Sequence, residues 1–343
     1  MRDRIFLLAI LLSSFGIAIQ YVFGKTYVFS QALYVLIGIL LYAGILRFVH
    51  PRTLLSHIHT ISILGFITLL SLLLFGTPIR GSRRWFSIYS LGFQPSIFFT
   101  PFFTMSLAQL VHYKPIRSFK AFLLTSLLIL IPVLLVFKQP DLGTSLLIFI
   151  TLSWVYLYSG IPGRYILGTL LLIIPIATIA PFFLHSYQLD RIVSFLNPHF
   201  DPYGINYNSL QALIAIGSGG IMGKGILNAS QSQLQFLPEA HTDFVFASFI
   251  ETFGFIGGLL LLTSITVFLY SLLADVLHNK NRIASLYAVG LCMFIFIQYA
   301  FNIGMNLRLF PVVGVPLPFI SAGGTATITL FMSLALLKKL KDI

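Results

Sequence analysis

Residues 237–244 read Leu-Pro-Glu-Ala-His-Thr-Asp-Phe, and the last of them begins an apolar run that continues to about residue 273. Three titratable groups, Glu239, His241 and Asp243, therefore stand within five positions at the lip of a run long enough to cross a bilayer. A carboxylate in that setting is costly to desolvate, and it is rare unless it has a functional task. If the helix begins at Pro238, which suits a first helical turn, Glu239 and Asp243 share one face. The alternative is an interfacial loop whose acidic side chains simply face water.

The composition indicates the class of protein. Of the 343 residues, 57% are hydrophobic and 9% are charged, whereas a soluble domain carries about 25% charged residues. The chain is therefore predicted to be an all-α polytopic membrane protein. The formal net charge of +12 invites a nucleic-acid-binding function, but the basic residues are scattered in short loops between apolar runs, as topology signals are. No nucleic-acid partner is predicted.

Apolar runs of spanning length predict about ten transmembrane helices, each of which needs roughly 20 residues. The first run has a basic start like that of a signal peptide, but it is long and a second run follows at once, so it is interpreted as an uncleaved helix. The whole chain, residues 1–343, is predicted to form one transmembrane domain. The runs are approximately 5–23, 28–46, 58–75, 97–111, 121–137, 142–158, 165–184, 244–273, 283–301 and 319–337.

The distribution of basic residues predicts the orientation of these helices. With the N-terminus in the cytoplasm, the inner loops hold thirteen lysines and arginines and the outer side holds eight. Cytoplasmic loops carry the excess of such residues, so both termini are predicted to be cytoplasmic. Most acidic residues then lie outside or at the outer lip of the membrane, namely Asp141, Asp190, Asp201, Glu239, Asp243 and Glu251.

The longest outer loop is predicted between the seventh and eighth helices, over residues 185–243. Loops longer than about 15 residues are usually functional or disordered. Residues 210–216 are too apolar for a disordered linker, and Gly217-Ser-Gly-Gly follows them. The loop is therefore predicted to contain a short interfacial or re-entrant helix and then a glycine-rich turn.

Three outer segments carry candidate ligand contacts. Arg83 and Arg84 oppose the positive-inside trend, and guanidinium groups suit phosphate oxygens, although contact with lipid headgroups is the alternative. Asp141 either caps the helix that follows it or contributes to the site. The glycines around Lys224 could cradle an anion, but the P-loop spacing fails and a tight turn is the alternative.

A fourth segment is dense in helix breakers. Pro311, Gly314-Val-Pro-Leu-Pro and Ser321-Ala-Gly-Gly follow one another within fourteen residues, and Arg308 precedes them. Breakers at this density predict a re-entrant hairpin that lines a cavity. An irregular loop is the alternative.

In order along the chain, these segments resemble the SEDS family (shape, elongation, division and sporulation). The resemblance covers nearly the whole chain, and the motif at 237–244 is its most specific part. Residues 230–236 and 312–318 resemble the RodA branch, which acts in elongation, more than the FtsW branch, which acts in division. The other segments that carry the resemblance are 81–85, 139–144, 215–220, 223–225 and the Pro-Leu-Pro to Gly-Gly tail at 316–324.

The resemblance implies a peptidoglycan glycosyltransferase of the bacterial cytoplasmic membrane. Such proteins polymerise lipid II, a disaccharide-peptide on undecaprenyl diphosphate, at the outer face. They act within the elongation machinery, in complex with a class B penicillin-binding protein that cross-links the strands. The essential aspartate of the family corresponds to Asp243. The chain departs from the family in having Ile97 and Thr100 where a Glu and a Lys are usual, and losing both charges together leaves no unpaired charge in the membrane.

The predicted mechanism has Asp243 as the general base that deprotonates the attacking sugar 4-hydroxyl, with inversion at the anomeric carbon. Glu239 and His241 are predicted to tune Asp243 or to bind sugar hydroxyls, and Asp141 and Ser321 are further candidate substrate contacts. No metal-ligand spacing is present and no cofactor is predicted with certainty; a divalent cation is the one candidate. The outer cations predicted to stabilise the leaving diphosphate are Arg83, Arg84, Lys224 and Arg308.

Two other function classes stay open at this point. A lipid II flippase would also use intramembrane charges and broken helices, but it needs polar residues in both leaflets, whereas the unusual acids and glycines cluster on one side. A non-catalytic scaffold for the penicillin-binding protein would tolerate neutralisation of Asp243.

Overall fold

The computed structural model describes residues 4–79, 82–88, 91–167, 186–197, 201 and 204–342. Helices dominate these ranges, which confirms the predicted fold class. The helices of the first half are α1 (Arg4–Gln20), α2 (Lys25–Phe48), α3 (Pro51–Phe75), α4 (Pro95–Tyr113), α5 (Phe119–Lys138) and α6 (Leu142–Tyr158). Those of the second half are α7 (Ser186–Leu196), α8 (Tyr207–Ser218), α9 (Ser230–Gln233), α10 (Val245–His278), α11 (Arg282–Asn306) and α12 (Gly324–Leu340).

Five of the described helices, α2, α3, α5, α10 and α11, are long and apolar enough to cross a membrane. Helices α1 and α6 are apolar but shorter, with 17 residues each. The predicted seventh span at 165–184 lies outside the described residues, except for 165–167, which are helical. The predicted tenth span begins too early: Phe319 has φ 65°, in the left-handed region that a helix cannot use, and α12 begins only at Gly324.

Helix α11 lies at the centre of the bundle. Of its most apolar window, 67% is buried, against 22–39% in the other four long helices. It packs against α4, α6, α8, α10 and α12. A helix that is apolar on all sides is stable only inside a protein or a membrane, so α11 forms the core against which the lipid-facing helices pack.

One element of the described chain is a small antiparallel sheet, which the sequence analysis did not predict. Its strands, in the order β1-β2-β3, are β1 (Thr77–Ile79), β2 (Ser82–Ile88) and β3 (Leu91–Phe93). Successive side chains of a strand point to opposite faces. Arg83 is accordingly exposed and its neighbour Arg84 is half-buried. The sheet therefore separates the two arginines that the sequence offered as a pair.

Polar contacts join the helix ends into two layers. At one end, Asn281 donates to the carbonyl of Leu340, and Arg282 donates to that of Tyr158. Asp141, Asp243 and the small sheet lie at the other end, which is the outer side in the predicted orientation. Helices α7, α8 and α9 all fall within the predicted loop 185–243, and α8 covers residues 210–216, where the sequence predicts a short helix.

Candidate functional site

The 237–244 segment is a turn and not the first part of a helix. Helix α10 begins at Val245 and not at Pro238, so the condition under which Glu239 and Asp243 would share a helix face is not met. The reason is local: Glu239 has φ 53°, outside the helical region, and its carbonyl oxygen accepts from the N–H groups of Thr242 and Phe244 at 3.1 Å each. The segment therefore closes on itself before the helix begins.

Three apolar side chains hold this turn against the bundle. Leu237, Ala240 and Phe244 are buried and form a small cluster with alanines of α8 and α10. The polar residues between them, Glu239 and Asp243 among them, are only partly buried. Buried apolar side chains thus alternate with polar ones along this turn, and the polar side chains stay partly accessible at this end of the helix bundle.

Helix α11 fixes the backbone of Asp243. The side-chain amides of Asn302 and Asn306 both donate to the Asp243 carbonyl oxygen at 3.0 Å, and both asparagines are fully buried. Asn306 also accepts from the N–H of Ala247 at 3.0 Å. Sequence reasoning missed this role. The signal was two asparagines four positions apart in an apolar run, which places them on one helix face.

The neighbouring carbonyls of the turn are fixed from other elements. Ser321 donates to the Thr242 carbonyl at 2.6 Å, and the N–H of Ala322 donates to that of His241 at 2.9 Å. Gln20 of α1 reaches the His241 carbonyl as well, at 3.5 Å. We call these donors, with Asn302 and Asn306, the carbonyl clamp. Ser321 is buried and belongs to this clamp, so its geometry supports a positioning role over the predicted substrate contact.

The carboxylate of Asp243 faces the breaker-rich segment. Its Oδ2 atom lies 3.5 Å from the position that a Cβ would take at Gly314, whose φ is 66°. Residues 311–317 have no helix or strand, and Ser321 and Tyr299 fix their end through the Leu317 N–H and the Pro318 carbonyl. A glycine here leaves room beside the carboxylate that any other residue would occupy.

Asp141 is buried and caps α6. It accepts from the N–H and the hydroxyl of Thr144 at 3.1 and 2.9 Å, and from the side chain of Gln94 at 3.2 Å. Arg84 lies 3.5 Å from it and donates to the Pro140 carbonyl at 2.7 Å. With only 1% of its side chain exposed, Asp141 fits the capping alternative, and the geometry does not support substrate contact.

Arg84 and Arg191 line one cavity of about 160 Å³ at this end of the bundle. The Nε atom of Arg84 is buried and has no acceptor among the described residues. Arg191, from α7, donates to the Val312 carbonyl at 3.1 Å, two residues before Gly314. The other walls are mainly apolar and include Leu142, Leu146 and Ile192. Sequence reasoning counted Arg191 among the outer cations but did not select it.

A second, more polar cavity of about 410 Å³ lies beside the same turn. Glu239 and His241 line it, together with Tyr27, Gln233 and Gln235. The rings of His241 and Tyr27 are 4.8 Å apart. The structure therefore brings Glu239 and His241 to one cavity, and it brings Arg84 to another.

Lys224 is committed to a carboxylate of this chain. Its Nζ lies 3.3 Å from Glu251, which is fully buried and also accepts from Gln231 and Ser232. The N–H groups of Lys224 and Gly225 donate to α10 carbonyls at 2.9 and 3.0 Å. These contacts do not support the predicted anion cradle, since Lys224 pairs with Glu251 and both backbone donors are already used. The glycine-rich stretch is therefore a tight turn, which was the alternative interpretation. Its Gly223 packs against Gly254, where the backbone of α10 departs from helical geometry.

The two other predicted cations each donate to another part of the chain. Arg83 is exposed and donates to the Leu73 carbonyl at 3.0 Å. Arg308 has φ 55° and donates to Asn206 at 3.1 Å. No group of three His, Cys, Asp or Glu side chains that could hold a metal ion occurs in the described ranges.

The departure at Ile97 and Thr100 is accommodated inside α4. Both residues are buried, and the Thr100 hydroxyl donates to the Ser96 carbonyl at 2.6 Å. A Ser or Thr that bonds one turn back satisfies its own hydroxyl. The position therefore leaves no unpaired polar group in the membrane.

Comparison with known proteins agrees with this architecture. Residues 4–342 match the family model of the FtsW, RodA and SpoVE cell cycle proteins. The chain is 38% identical over 270 residues to the peptidoglycan glycosyltransferase MrdB of Escherichia coli strain K12, which covers 78% of this chain and 73% of that one. It is 38% identical over 275 residues to MrdB of Helicobacter pylori strain J99, which covers 77% and 70%.

Solved structures share the fold. A chain from a peptidoglycan synthase complex that coordinates polymerization and crosslinking superimposes with a TM-score of 0.85 at 26% identity, over 98% of this chain and 96% of that chain. The Thermus thermophilus rod shape determining protein RodA superimposes with a TM-score of 0.75 at 24% identity, over 99% and 96%. At that identity the second similarity is evidence of fold alone.

Proposed function

The chain belongs to the FtsW, RodA and SpoVE family of cell cycle proteins, and we propose that it polymerises lipid II into glycan strands with Asp243 as the general base. It is a multi-pass protein of the bacterial cytoplasmic membrane. Relatives at 38% identity are named peptidoglycan glycosyltransferases, which supports the activity. The observation that carries the proposed role of Asp243 is the carbonyl clamp: donors from three parts of the chain fix the 241–243 backbone, while Asp243 is only partly buried.

The proposed reaction consists of one proton transfer, one bond formed and one bond broken. The Asp243 carboxylate takes the proton of the incoming sugar 4-hydroxyl, and that oxygen forms a bond to the anomeric carbon of the growing strand. The bond from that carbon to the lipid diphosphate breaks on the opposite face, and the electron pair leaves with the diphosphate. Such a base contributes roughly 10²–10⁴ to the rate, provided that its distance to the hydroxyl is fixed.

The leaving group is proposed to occupy the cavity between Arg84 and Arg191. Its apolar walls suit a prenyl chain, and its two guanidinium groups suit a diphosphate. The buried Nε of Arg84 supports this assignment, because a buried donor without an acceptor costs about 1–3 kcal/mol until a ligand supplies one. Of the four cations first predicted for this role, Arg83, Arg84, Lys224 and Arg308, the proposal keeps Arg84 and adds Arg191.

The saccharide is proposed to bind in the polar cavity beside Glu239 and His241. This cavity offers amide and carboxylate groups next to aromatic rings, which is a suitable lining for sugar hydroxyls. Residues 237–241 line this cavity, and the Asp243 carboxylate lies next to Gly314, which directly follows Val313 of the arginine cavity. A class B penicillin-binding protein is the proposed partner, since the chain superimposes on a member of a peptidoglycan synthase complex.

The experiment is polymerisation of labelled lipid II by the purified full-length protein in detergent, followed on a gel, with and without the cognate class B penicillin-binding protein. A ladder of glycan products supports the proposal. Detergent removes the two membrane sides, so a flippase gives no product in this assay, and neither does a scaffold. Absence of product in both arms, with the transpeptidase shown to be active, would contradict the proposed function. A third arm with a chelator tests the candidate divalent cation.

A further inference from the structure

A cavity of about 430 Å³ lies between α3, α4 and α5, and the proposed reaction does not use it. Pockets of about 300–1,000 Å³ are typical of small-molecule sites. Helix α4 starts beside Asp141, through its cap residue Gln94, and the cavity occupies the other end of the same helix, around Lys114. The cavity therefore belongs to the membrane leaflet opposite to the Asp243 site.

The cavity is as long as one leaflet is deep. Its α4 lining extends from Phe103 to Lys114, which is about 16 Å at 1.5 Å per residue. The hydrocarbon core of a bilayer is about 30 Å thick, so half of it is about 15 Å. An acyl chain that enters at Lys114 would therefore end near the middle of the membrane, beside Phe103.

The lining changes from apolar to polar along this length. Phe66, Phe103 and Leu107 line the deep part, whereas Gln109, Tyr113 and Lys114 lie towards the end of α4. The other polar side chains of the wall are already bonded within the protein: Ser62 donates to α3 and α4 carbonyls, and His59 bonds to Ser106. The Oε1 atom of Gln109 is buried and has no donor among the described residues. A ligand with an apolar chain and a polar group that carries hydroxyls would meet both requirements.

The polar end of the cavity carries positive charge, and the surrounding helices α3, α4 and α5 contain no acidic residue to neutralise it. Between residues 4 and 140 the sequence has no aspartate or glutamate. Lys114 is exposed, and no ion pair or side-chain hydrogen bond joins it to another described residue. Arg117 follows it in the same short loop, and Lys120 lies in the first turn of α5. An anionic group at this end would meet cations on one side and no competing carboxylate from α3, α4 or α5.

We propose that this cavity binds one anionic glycerophospholipid of the facing leaflet, the cytoplasmic one in the predicted orientation, with its phosphate at Lys114. The acyl chain of the lipid would lie along α4 towards Phe103, and a headgroup hydroxyl would donate to Gln109. The tails of the surrounding lipids are as apolar as the cavity wall, so burial of the acyl chain does not favour one lipid over another. Selectivity for the anionic lipid therefore depends on the headgroup contacts. The proposal is independent of the glycosyltransferase reaction.

The test counts lipids that stay bound to the purified full-length protein by native mass spectrometry. The probe is a mixture of phosphatidylglycerol and phosphatidylcholine with identical chains. Wild type is expected to retain one phosphatidylglycerol in preference. Lys114→Gln should reduce that preference about fivefold, the effect of one cation near a membrane surface. Lys120→Gln removes the same charge at the same end but outside the cavity, and it should keep the preference.

A second pair of variants separates the cavity from general charge attraction. Ile63 lines the cavity, and Ile67, one turn further along α3, does not; their exposures are 55% and 56%. Ile63→Trp should fill the cavity and abolish retention, whereas Ile67→Trp should bind as wild type does. Because both side chains are exposed, both variants are expected to fold. Thermal unfolding measured in phosphatidylcholine alone checks that their stability matches that of wild type. Equal retention by the two tryptophan variants, or an equal loss with Lys120→Gln and Lys114→Gln, would overturn the proposal.

Discussion

The side-chain amide of Asn306 donates to the carbonyl oxygen of Asp243 at 3.0 Å, so the buried helix α11 sets the position of the proposed general base. The same asparagine accepts from the N–H of Ala247, in the first turn of α10. One side chain thus joins the central helix to both sides of the point where the turn becomes a helix. Precision at the carboxylate is expected to depend on this residue, whose side chain is fully buried and lines neither proposed substrate cavity.

Asn306→Ala should lower kcat for lipid II polymerisation about 10- to 100-fold with little change in KM, because small displacements of a reacting group are costly in rate. It should also reduce stability by about 1–3 kcal/mol, since buried polar groups lose their partners. Steady-state kinetics on lipid II and thermal unfolding measure the two effects.

Gln298→Ala is the matched control for that variant. Gln298 is buried on the same helix and donates only to the Phe294 carbonyl, at 2.9 Å. The control should lose stability and keep kcat. Equal loss of kcat in both variants would mean that general loosening of α11, and not the position of Asp243, limits the rate.

Gly314→Ala should impair catalysis through crowding at Asp243. The new Cβ would stand 3.5 Å from Oδ2, where the proposed reaction needs the sugar hydroxyl. Gly225→Ala is the control, because its φ of 77° imposes the same backbone strain with nothing within 4 Å. Both variants should lose about 1–2 kcal/mol of stability, and only Gly314→Ala should lower polymerisation. Unchanged polymerisation by Gly314→Ala at wild-type folding would show that this side of Asp243 is not used.

Arg191→Gln should lower polymerisation about 10- to 100-fold, since hydrogen bonds to charged groups are worth about 1.5–3 kcal/mol. It should also weaken inhibition by added undecaprenyl diphosphate, which is the product proposed to bind this cavity. Arg83→Gln removes an exposed arginine on the other face of β2 and should change the rate less than threefold. The reverse order of effects would assign the diphosphate to Arg83 instead.

Lys224→Gln should destabilise the protein by leaving the buried Glu251 carboxylate without its cation. The exposure of the lysine side chain, 29%, limits the loss to about 1–2 kcal/mol. The double variant Lys224→Gln/Glu251→Gln should recover part of it, with a coupling energy of about 0.5–2 kcal/mol in a double-mutant cycle. KM for lipid II should not change. A higher KM in both variants would return Lys224 to the substrate site.

Composition and apolar periodicity were sufficient to predict the bundle, because the cost of exposing polar groups to lipid acts on every residue of a span. They could not predict β2, since seven residues with two arginines and a tryptophan fit an interfacial loop equally well. The sequence left a helix and an interfacial loop open for 237–243, because nothing in it marks the positive φ of Glu239. The buried anchors Leu237 and Phe244 stand on either side of that residue.

The site itself depends on contacts between distant parts of the chain. Asn306 and Asp243 are 63 positions apart, and Arg191 reaches Val312 across 121. Local patterns carry no information about such pairs. Lys224 shows the opposite failure: it was read as an available cation because its partner Glu251, 27 positions later, could not be located from the sequence.

The most direct measurement compares Asp243→Asn with Asp275→Asn in polymerisation of labelled lipid II by purified protein. The two variants make the same chemical change at opposite ends of the bundle, and Asp275 pairs with Lys341, away from the site. With unfolding temperatures close to that of wild type, Asp243→Asn should lower the rate at least about 100-fold, the contribution of a general base. Asp275→Asn should polymerise as wild type does. A rate for Asp243→Asn within about twofold of wild type would contradict the assignment of this carboxylate as the base.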